Sequence, residues 1–146
     1  MIKKPELLAP AGDLEKLKMA VLYGADAVYI GGLNFSLRER ATNFDEAQMR
    51  EAVAFAHARG VKVYVTVNIY AHNEHIAAMP EYFMQLADMQ VDALIISDPG
   101  VFALAKRTVP DMELHISTQA STTNYEAVEF WHRAGAARVI LAREVS

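Results

Sequence analysis

Gly24-Ala25-Asp26-Ala27-Val28-Tyr29-Ile30-Gly31-Gly32 is the stretch that decides the fold. A turn of small residues leads into a short apolar run, which gives way at once to glycines. The same construction recurs as Val91-Asp92 before Ala93-Leu94-Ile95-Ile96 and Ser97-Asp98. It recurs again as Gly135-Ala136-Ala137 before Arg138-Val139-Ile140-Leu141 and Arg143-Glu144. Each run follows an amphipathic helical segment. That rhythm belongs to βα units on a parallel sheet, and such sheets keep their chemistry just past the carboxyl ends of the strands.

Working outward, Leu7-Leu8-Ala9 reads as a first strand stopped by Pro10. Asp13 is placed to cap a helix over Leu14–Tyr23, and Gly24 suits the position after its end. Ala27–Ile30 is the second strand. A polar connection from Gly31 to Asn43 follows, longer than most βα loops, and long loops at this edge are usually functional. Asp45 opens a helix to about Arg59. Lys62–Asn68 is a strand of β-branched and aromatic residues. His72 to His75 falls in a polar loop, Met79–Met89 in a helix, Ala93–Ile96 in a strand. Pro99 sits in the first turn of a helix that ends near Val109, where its missing N–H costs nothing. Leu114–Ser117, Tyr125–Ala134 and Arg138–Leu141 supply a strand, a helix and a strand. The expectation is an α/β, TIM-barrel-like (β/α) repeat, incomplete, with about six strands and five helices. All of residues 1–146 would form a single partial barrel, the N-terminal portion of a longer protein, because two more units close an eight-stranded barrel. A flavodoxin-like or Rossmann sheet is the alternative. Against Rossmann, Ala9-Pro10-Ala11-Gly12-Asp13 carries one glycine where a dinucleotide fingerprint needs three.

The 146 residues are 53% hydrophobic, which suits strands buried on both faces. No run of about 18 apolar residues occurs, and Glu6 interrupts the start too early for a signal peptide, so a cytoplasmic protein is the default. The chain has no cysteine, hence no disulfide, thiolate nucleophile or iron–sulfur ligand of its own. A net charge of −4 argues against a general polyanion-binding surface. Nucleic-acid contact would need a local basic patch. H-E-x-x-H and G-x-S-x-G are missing, so nothing in the residues selects a protease mechanism.

Several segments resemble, in order along the chain, the collagenase-like peptidase family U32. They are Leu7-Leu8-Ala9-Pro10-Ala11-Gly12-Asp13, Gly24–Gly32, Phe35-Ser36-Leu37-Arg38 with Asn43-Phe44, Val67-Asn68, Ser97-Asp98-Pro99-Gly100, His115-Ile116-Ser117-Thr118-Gln119 and Leu141-Ala142-Arg143-Glu144. The likeness is nearest to the branch implicated in hydroxylating RNA, in particular uridine at the tRNA wobble position. Related branches act in oxygen-independent ubiquinone hydroxylation. The resemblance implies a TIM-like barrel at the front of a longer protein whose later region carries cysteines for an iron–sulfur cluster. It also implies that these residues are inactive alone. Its partners would be tRNA and a small carboxylate co-substrate such as prephenate. The collagenase label keeps a protease as the alternative, and a non-catalytic scaffold subunit is a third.

Candidate site residues follow from position at the strand ends. Arg38, Arg40 and Asn43 lie in the long second-strand loop, where guanidinium groups suit phosphate or carboxylate; the bland reading pairs Arg38 with Glu39 or Asp45. Strand alternation sets His115 and Ser117 on one face with Gln119 beyond, able to meet a nucleobase edge or place a general acid, or else forming a satisfied core cluster. Arg143 and Glu144 follow the sixth strand and could equally form a structural ion pair. Asn68 ends the third strand. Asp98 could act as a base, although Ser97-Asp98-Pro99 reads more readily as a helix cap. The catalytic candidates are thus His115, Gln119, Glu144 and Asp98; the substrate-binding ones are Arg38, Arg40, Asn43, Asn68, Ser117 and Arg143. His72 and His75 give only a weak metal signal. His57 and His132 read as surface or packing residues. Asp26 and Asp92 read as stability residues bonding turn backbone, and Gly31-Gly32 would let the backbone approach a ligand. An incomplete barrel leaves an open edge, so a homodimer through that edge is expected.

Overall fold

The computed structural model describes residues 4–32, 34–36 and 44–145. Six strands, β1 (Leu8–Pro10), β2 (Ala27–Gly31), β3 (Lys62–Val67), β4 (Ala93–Ile96), β5 (Glu113–Ile116) and β6 (Arg138–Val139), form one sheet. All neighbours pair in parallel, and the spatial order is the chain order. The helices are α1 (Leu14–Leu22), α2 (Glu46–His57), α3 (Asn73–Ile76), α4 (Met79–Asp88), α5 (Pro99–Thr108) and α6 (Tyr125–Ala134), with a 3₁₀ turn at Thr118–Ala120. A doubly wound sheet reverses its strand order beside the first strand. No reversal occurs here, which removes the flavodoxin-like and Rossmann alternatives.

The sheet curls. Five strand spacings would hold the edges of a flat six-stranded sheet about 24 Å apart. Yet Arg138 on β6 bonds Glu6, two residues before β1, at 2.6 Å (Nη1–Oε1) and 3.2 Å (Nη2–Oε2). Only a half-barrel brings those edges within reach of one side chain pair. The outward strand face (Val28, Ile30, Val65, Leu94, Ile96, Leu114) is fully buried against the helices. At roughly 1.5–3 kcal/mol per buried aliphatic side chain, this outer layer is the main source of stability. The inward face is smaller and mixed, with Ala27, Tyr64, Ala93 and Ile95 as its buried apolar residues and Leu8, Tyr29 and Ile140 packed against them.

Local chemistry explains the elements. Asp13, Asp98 and Asn124 cap α1, α5 and α6 through their side chains, and Asp45 forms a capping box with Gln48 on α2. Helices α1, α4 and α6 end alike: a left-handed residue (Gly24 φ 97°, Gln90 φ 61°, Gly135 φ 102°) is followed by an N–H that bonds back five residues. The next strand then begins. Asp26 accepts the Leu7 N–H at 2.7 Å, and Asp92 accepts the Val63 N–H at 2.7 Å. Both aspartates therefore clamp the start of the preceding strand, the stability role read from their position. The His57 ring also bonds Asp92, Nε2–Oδ2 2.7 Å, so this histidine is a partner of the clamp, not merely a surface residue.

The sequence expectation differs at five places. The five expected helices are present, and a sixth, the single turn α3, replaces the polar loop at His72–His75. In it His75 Nδ1 accepts the His72 N–H at 3.0 Å. Strands β1 and β5 are shifted by one residue from the expected ranges, and β6 is two residues long. Gly32 stands where a Cβ would collide with the Tyr82 hydroxyl of α4, so its missing side chain makes room for a helix residue.

Candidate functional site

A cleft of about 370 Å³ opens at the carboxyl ends of the strands. Its walls come from every strand or strand end: Leu8, Tyr29, Ser36, Thr66 and Asn68, Ile95, Ser117 to Gln119, then Ile140 and Arg143. That volume lies within the range of small-molecule sites. Another groove, near 520 Å³, lies at the opposite end among Val91, Asp92 and Pro110 to Glu113. It belongs to the loops that enter strands, which in this architecture carry stability. The strand-end cleft is therefore the candidate site.

Alternation places its residues. The β3 side chains that face inward are Tyr64, then Thr66, then Asn68 just past the strand. On the fifth strand the inward series is Glu113, His115 and Ser117. Thr66 is nearly buried; its hydroxyl donates to Ile30 O at 3.2 Å. Its one proton is thereby committed, so the buried Ser36 hydroxyl donates to Thr66 Oγ1 across 3.1 Å. The Asn68 N–H donates to Phe35 O at 3.1 Å, tying the strand end to the far wall. Ser117 Oγ accepts the Gln119 N–H at 3.3 Å and opens the 3₁₀ turn.

Below the cleft lies a second polar group, at the floor of the curl. The Tyr64 hydroxyl donates to Glu6 Oε2 at 2.9 Å, and Arg138 holds the same carboxylate with two nitrogens. The Arg138 bond, aided by Tyr64, keeps the Glu6 carboxyl below the usual range. Burial, with Glu6 beside it, pushes the Tyr64 phenol up to about 12. The His115 ring meets Tyr64 edge-on at 4.7 Å between centroids, and its Nε2 lies 2.6 Å from Glu113 Oε1. Burial lowers the His115 pKa against the opposing pull of Glu113. A neutral ring donating Nε2–H to Glu113 leaves Nδ1 a bare acceptor, and that buried atom has no partner among the described residues.

The structure thus brings Asn68, Ser117, Gln119 and Arg143 together in one cleft. His115 faces inward as read but sits at the floor, fully buried. Asp98 Oδ1 accepts the Val101 N–H at 2.9 Å, the cap geometry. Glu144 is exposed and outside the cleft lining. Arg38, Arg40 and Asn43 lie outside the described residues. Tyr29, Ser36 and Thr66 were not read as site residues. Strand alternation carried the signal for two of them, since Thr66 shares the face of Asn68 and Tyr29 shares that of Ala27. No group of three or more His, Cys, Asp or Glu among the described residues is placed to hold a metal ion. His115 and Ser117 do not form a nucleophile–base pair: the ring is engaged by Glu113, and the hydroxyl by the Gln119 N–H.

The model of peptidase family U32 matches residues 12–146. The chain belongs to peptidase family U32. It is 51% identical over 144 residues to the "tRNA hydroxylation protein P1" of Bacillus subtilis (strain 168), covering 99% of this chain and 34% of that protein. It is 39% identical over 141 residues to the "23S rRNA 5-hydroxycytidine C2501 synthase" of Escherichia coli (strain K12), covering 97% of this chain and 21% of the relative. This U32 chain therefore spans about a third of the length of the first of these curated relatives and about a fifth of the second. Among solved structures, the U32 peptidase Mk0906 superposes with a TM-score of 0.72 at 17% identity, over 97% of this chain and 61% of that one. At that identity the likeness shows the fold alone: an incomplete barrel of the U32 type. No helix among the described residues is long and apolar enough to cross a membrane.

Proposed function

We propose that this chain supplies the substrate-binding mouth of an RNA-modifying enzyme, one that adds a hydroxyl group to a tRNA pyrimidine, with wobble uridine the expected base. The observation that carries the reading is one coincidence. The chain is 51% identical to a tRNA hydroxylation protein, and Asn68, Ser117, Gln119 and Arg143 line a single strand-end cleft. Single-stranded RNA is recognised by aromatic faces, hydrogen bonds to base edges and cations at phosphates. Tyr29, the two carboxamides and Arg143 are those groups. Leu8, Ile95 and Ile140 give the cleft apolar walls that exclude water.

In this reading Arg143 holds an anion, either an RNA phosphate or a small carboxylate co-substrate. Arg38 and Arg40 are expected to add to that role. His115 and Asp98 serve the fold, and Glu144 stands at the rim. The chain's own residues do not fit an iron–sulfur centre, since it has no cysteine to supply thiolates. The work takes place in the cytoplasm, where tRNA is found. The exposed apolar residues at the two edges, Leu22 and Tyr23 on one side and Phe130 and Leu141 on the other, suit pairing with a second copy. Light scattering of the purified protein checks that pairing; a monomer at high concentration rejects it.

The test is nucleoside mass spectrometry of tRNA from cells lacking the full-length gene, complemented with wild type or Arg143→Ala. Hydroxylated uridine that vanishes on deletion, returns with wild type and stays low with the variant supports the reading. Hydroxylated uridine that persists without the gene sinks it.

A further inference from the structure

We infer that Gln119 is the base-reading residue of the cleft: its carboxamide pairs with the N3 and position-4 edge of the target pyrimidine, and the side chain at this position sets the balance between uracil and cytosine. The inference rests on the RNA reading above and deepens it.

Three observations converge on this residue. First, the described cleft lining contains no carboxylate, histidine or lysine. Its polar equipment is two carboxamides, several hydroxyls and one guanidinium. Such a set binds a neutral hydrogen-bonding ring attached to an anion, and a nucleotide has that make-up. Second, the backbone of Gln119 is fixed while its side chain is not engaged. Its N–H donates to Ser117 Oγ at 3.3 Å, and the turn is closed by Ala120 N to Ser117 O at 3.0 Å and Ser121 N to Thr118 O at 3.0 Å. The carboxamide makes no side-chain hydrogen bond to a described residue. Third, the turn ends at Ser121 with φ 53°, and Phe35, next to Ser36 on the opposite wall, has φ 59°. Three non-glycine residues among those described have positive φ; Gln90 ends a helix, and the other two flank this cleft. Backbone held in a sparsely populated region costs roughly 1–3 kcal/mol and concentrates at ligand sites.

The chemistry of a carboxamide then fixes what it can read. Its oxygen accepts N3–H of uracil while its NH₂ donates to O4. Turned over, the same group donates to N3 of cytosine and accepts from the 4-amino group. A glutamate in its place offers only acceptors. One oxygen then faces O4 of uracil, which takes no proton near neutral pH. With cytosine that oxygen faces N3, which is basic and can share a proton, and the other accepts the amino group. Gln119→Glu therefore moves preference toward cytosine. Gln119→Met, close in shape but without hydrogen bonds, weakens both bases alike.

The experiment uses the full-length protein in cells lacking their own tRNA hydroxylation, given a reporter tRNA with either U or C at the target position. Nucleoside mass spectrometry reads the hydroxylated fraction of each. The expected result is a fall in the U-to-C ratio of about tenfold or more for Gln119→Glu, the scale of one bidentate base contact. Gln119→Met lowers both with the ratio kept. Soluble yield and melting temperature of each variant establish that the fold is intact. Wild-type rates and ratio in both variants overturn the inference and leave the RNA reading standing. A wild type that hydroxylates neither reporter overturns both.

Discussion

The mouth and the floor of the half-barrel are built on the same strands, two residues apart along each, yet they treat their polar groups in opposite ways. At the floor Glu6 takes two nitrogens from Arg138 and the Tyr64 hydroxyl, and His115 is bonded to Glu113. Charge there is consumed within the protein. At the mouth Gln119 and Arg143 make no side-chain hydrogen bond or ion pair with a described residue, and the turn beside Gln119 is strained at Ser121. Hydrogen bonds closed within the protein specify structure, with His115 Nδ1 the one floor atom left without a partner among the described residues; the unspent donors of the mouth, held on a fixed backbone, are the ones we propose a ligand takes up. In the proposed reading, position along the strand, and not the burial of a histidine or tyrosine inside the curl, separates the two roles.

The comparison breaks most visibly at His115. Its replacement by alanine leaves a cavity beneath Tyr64 and strips Glu113 of its partner, and denaturant titration should show a loss of about 2–3 kcal/mol. Glu6→Ala comes next. It frees Arg138 and the Tyr64 hydroxyl, but the pair is partly solvated, with side chains 26% and 35% exposed. The expected loss is about 1–2 kcal/mol, with hydrogen exchange rising at β1 and β6, the edges this pair spans.

A pH titration sharpens the contrast without removing the floor. Burial lowers the His115 pKa in the folded chain, so the unfolded chain binds a proton that the folded one refuses. The His115 contribution is fully present above the ordinary histidine value of about 6.5 and is lost as pH falls from there toward the folded pKa. Thermal melts at pH 7.5 and 5.5 should show a larger acid loss for wild type than for His115→Gln. An equal loss in both assigns the slope to other groups. The smallest stability effect belongs to the mouth: Gln119→Ala and Arg143→Ala should each shift stability by no more than about 0.5 kcal/mol, the ordinary range for surface positions.

Much of this was legible in the sequence because the signals are local. The Gly24–Gly32 pattern and its two repeats mark strands, the caps at Asp13, Asp45 and Asp98 mark helix starts, and Asp26 and Asp92 announce strand clamps by their place before each run. Ser117, Asn68, Gln119 and Arg143 could be placed at the mouth because each ends a strand or just follows one. The depth of His115 could not be read. Alternation assigns a face, and the tilt and curl of the sheet decide how far below the rim that face lies. The Glu6–Arg138 pair joins residues 132 positions apart and leaves no trace in any window of sequence. The turn Asn73–Ile76 is too short to show a helical period.

The most direct test sets one mouth residue against one floor residue in the same assay. Full-length Gln119→Ala and Glu6→Ala are expressed in cells lacking the gene. Hydroxylated uridine in tRNA is then divided by the amount of folded protein. The ratio should collapse for Gln119→Ala and stay near wild type for Glu6→Ala, whose deficit lies in protein level. A preserved ratio in Gln119→Ala together with a collapsed ratio in Glu6→Ala would place the working site at the floor instead of the mouth.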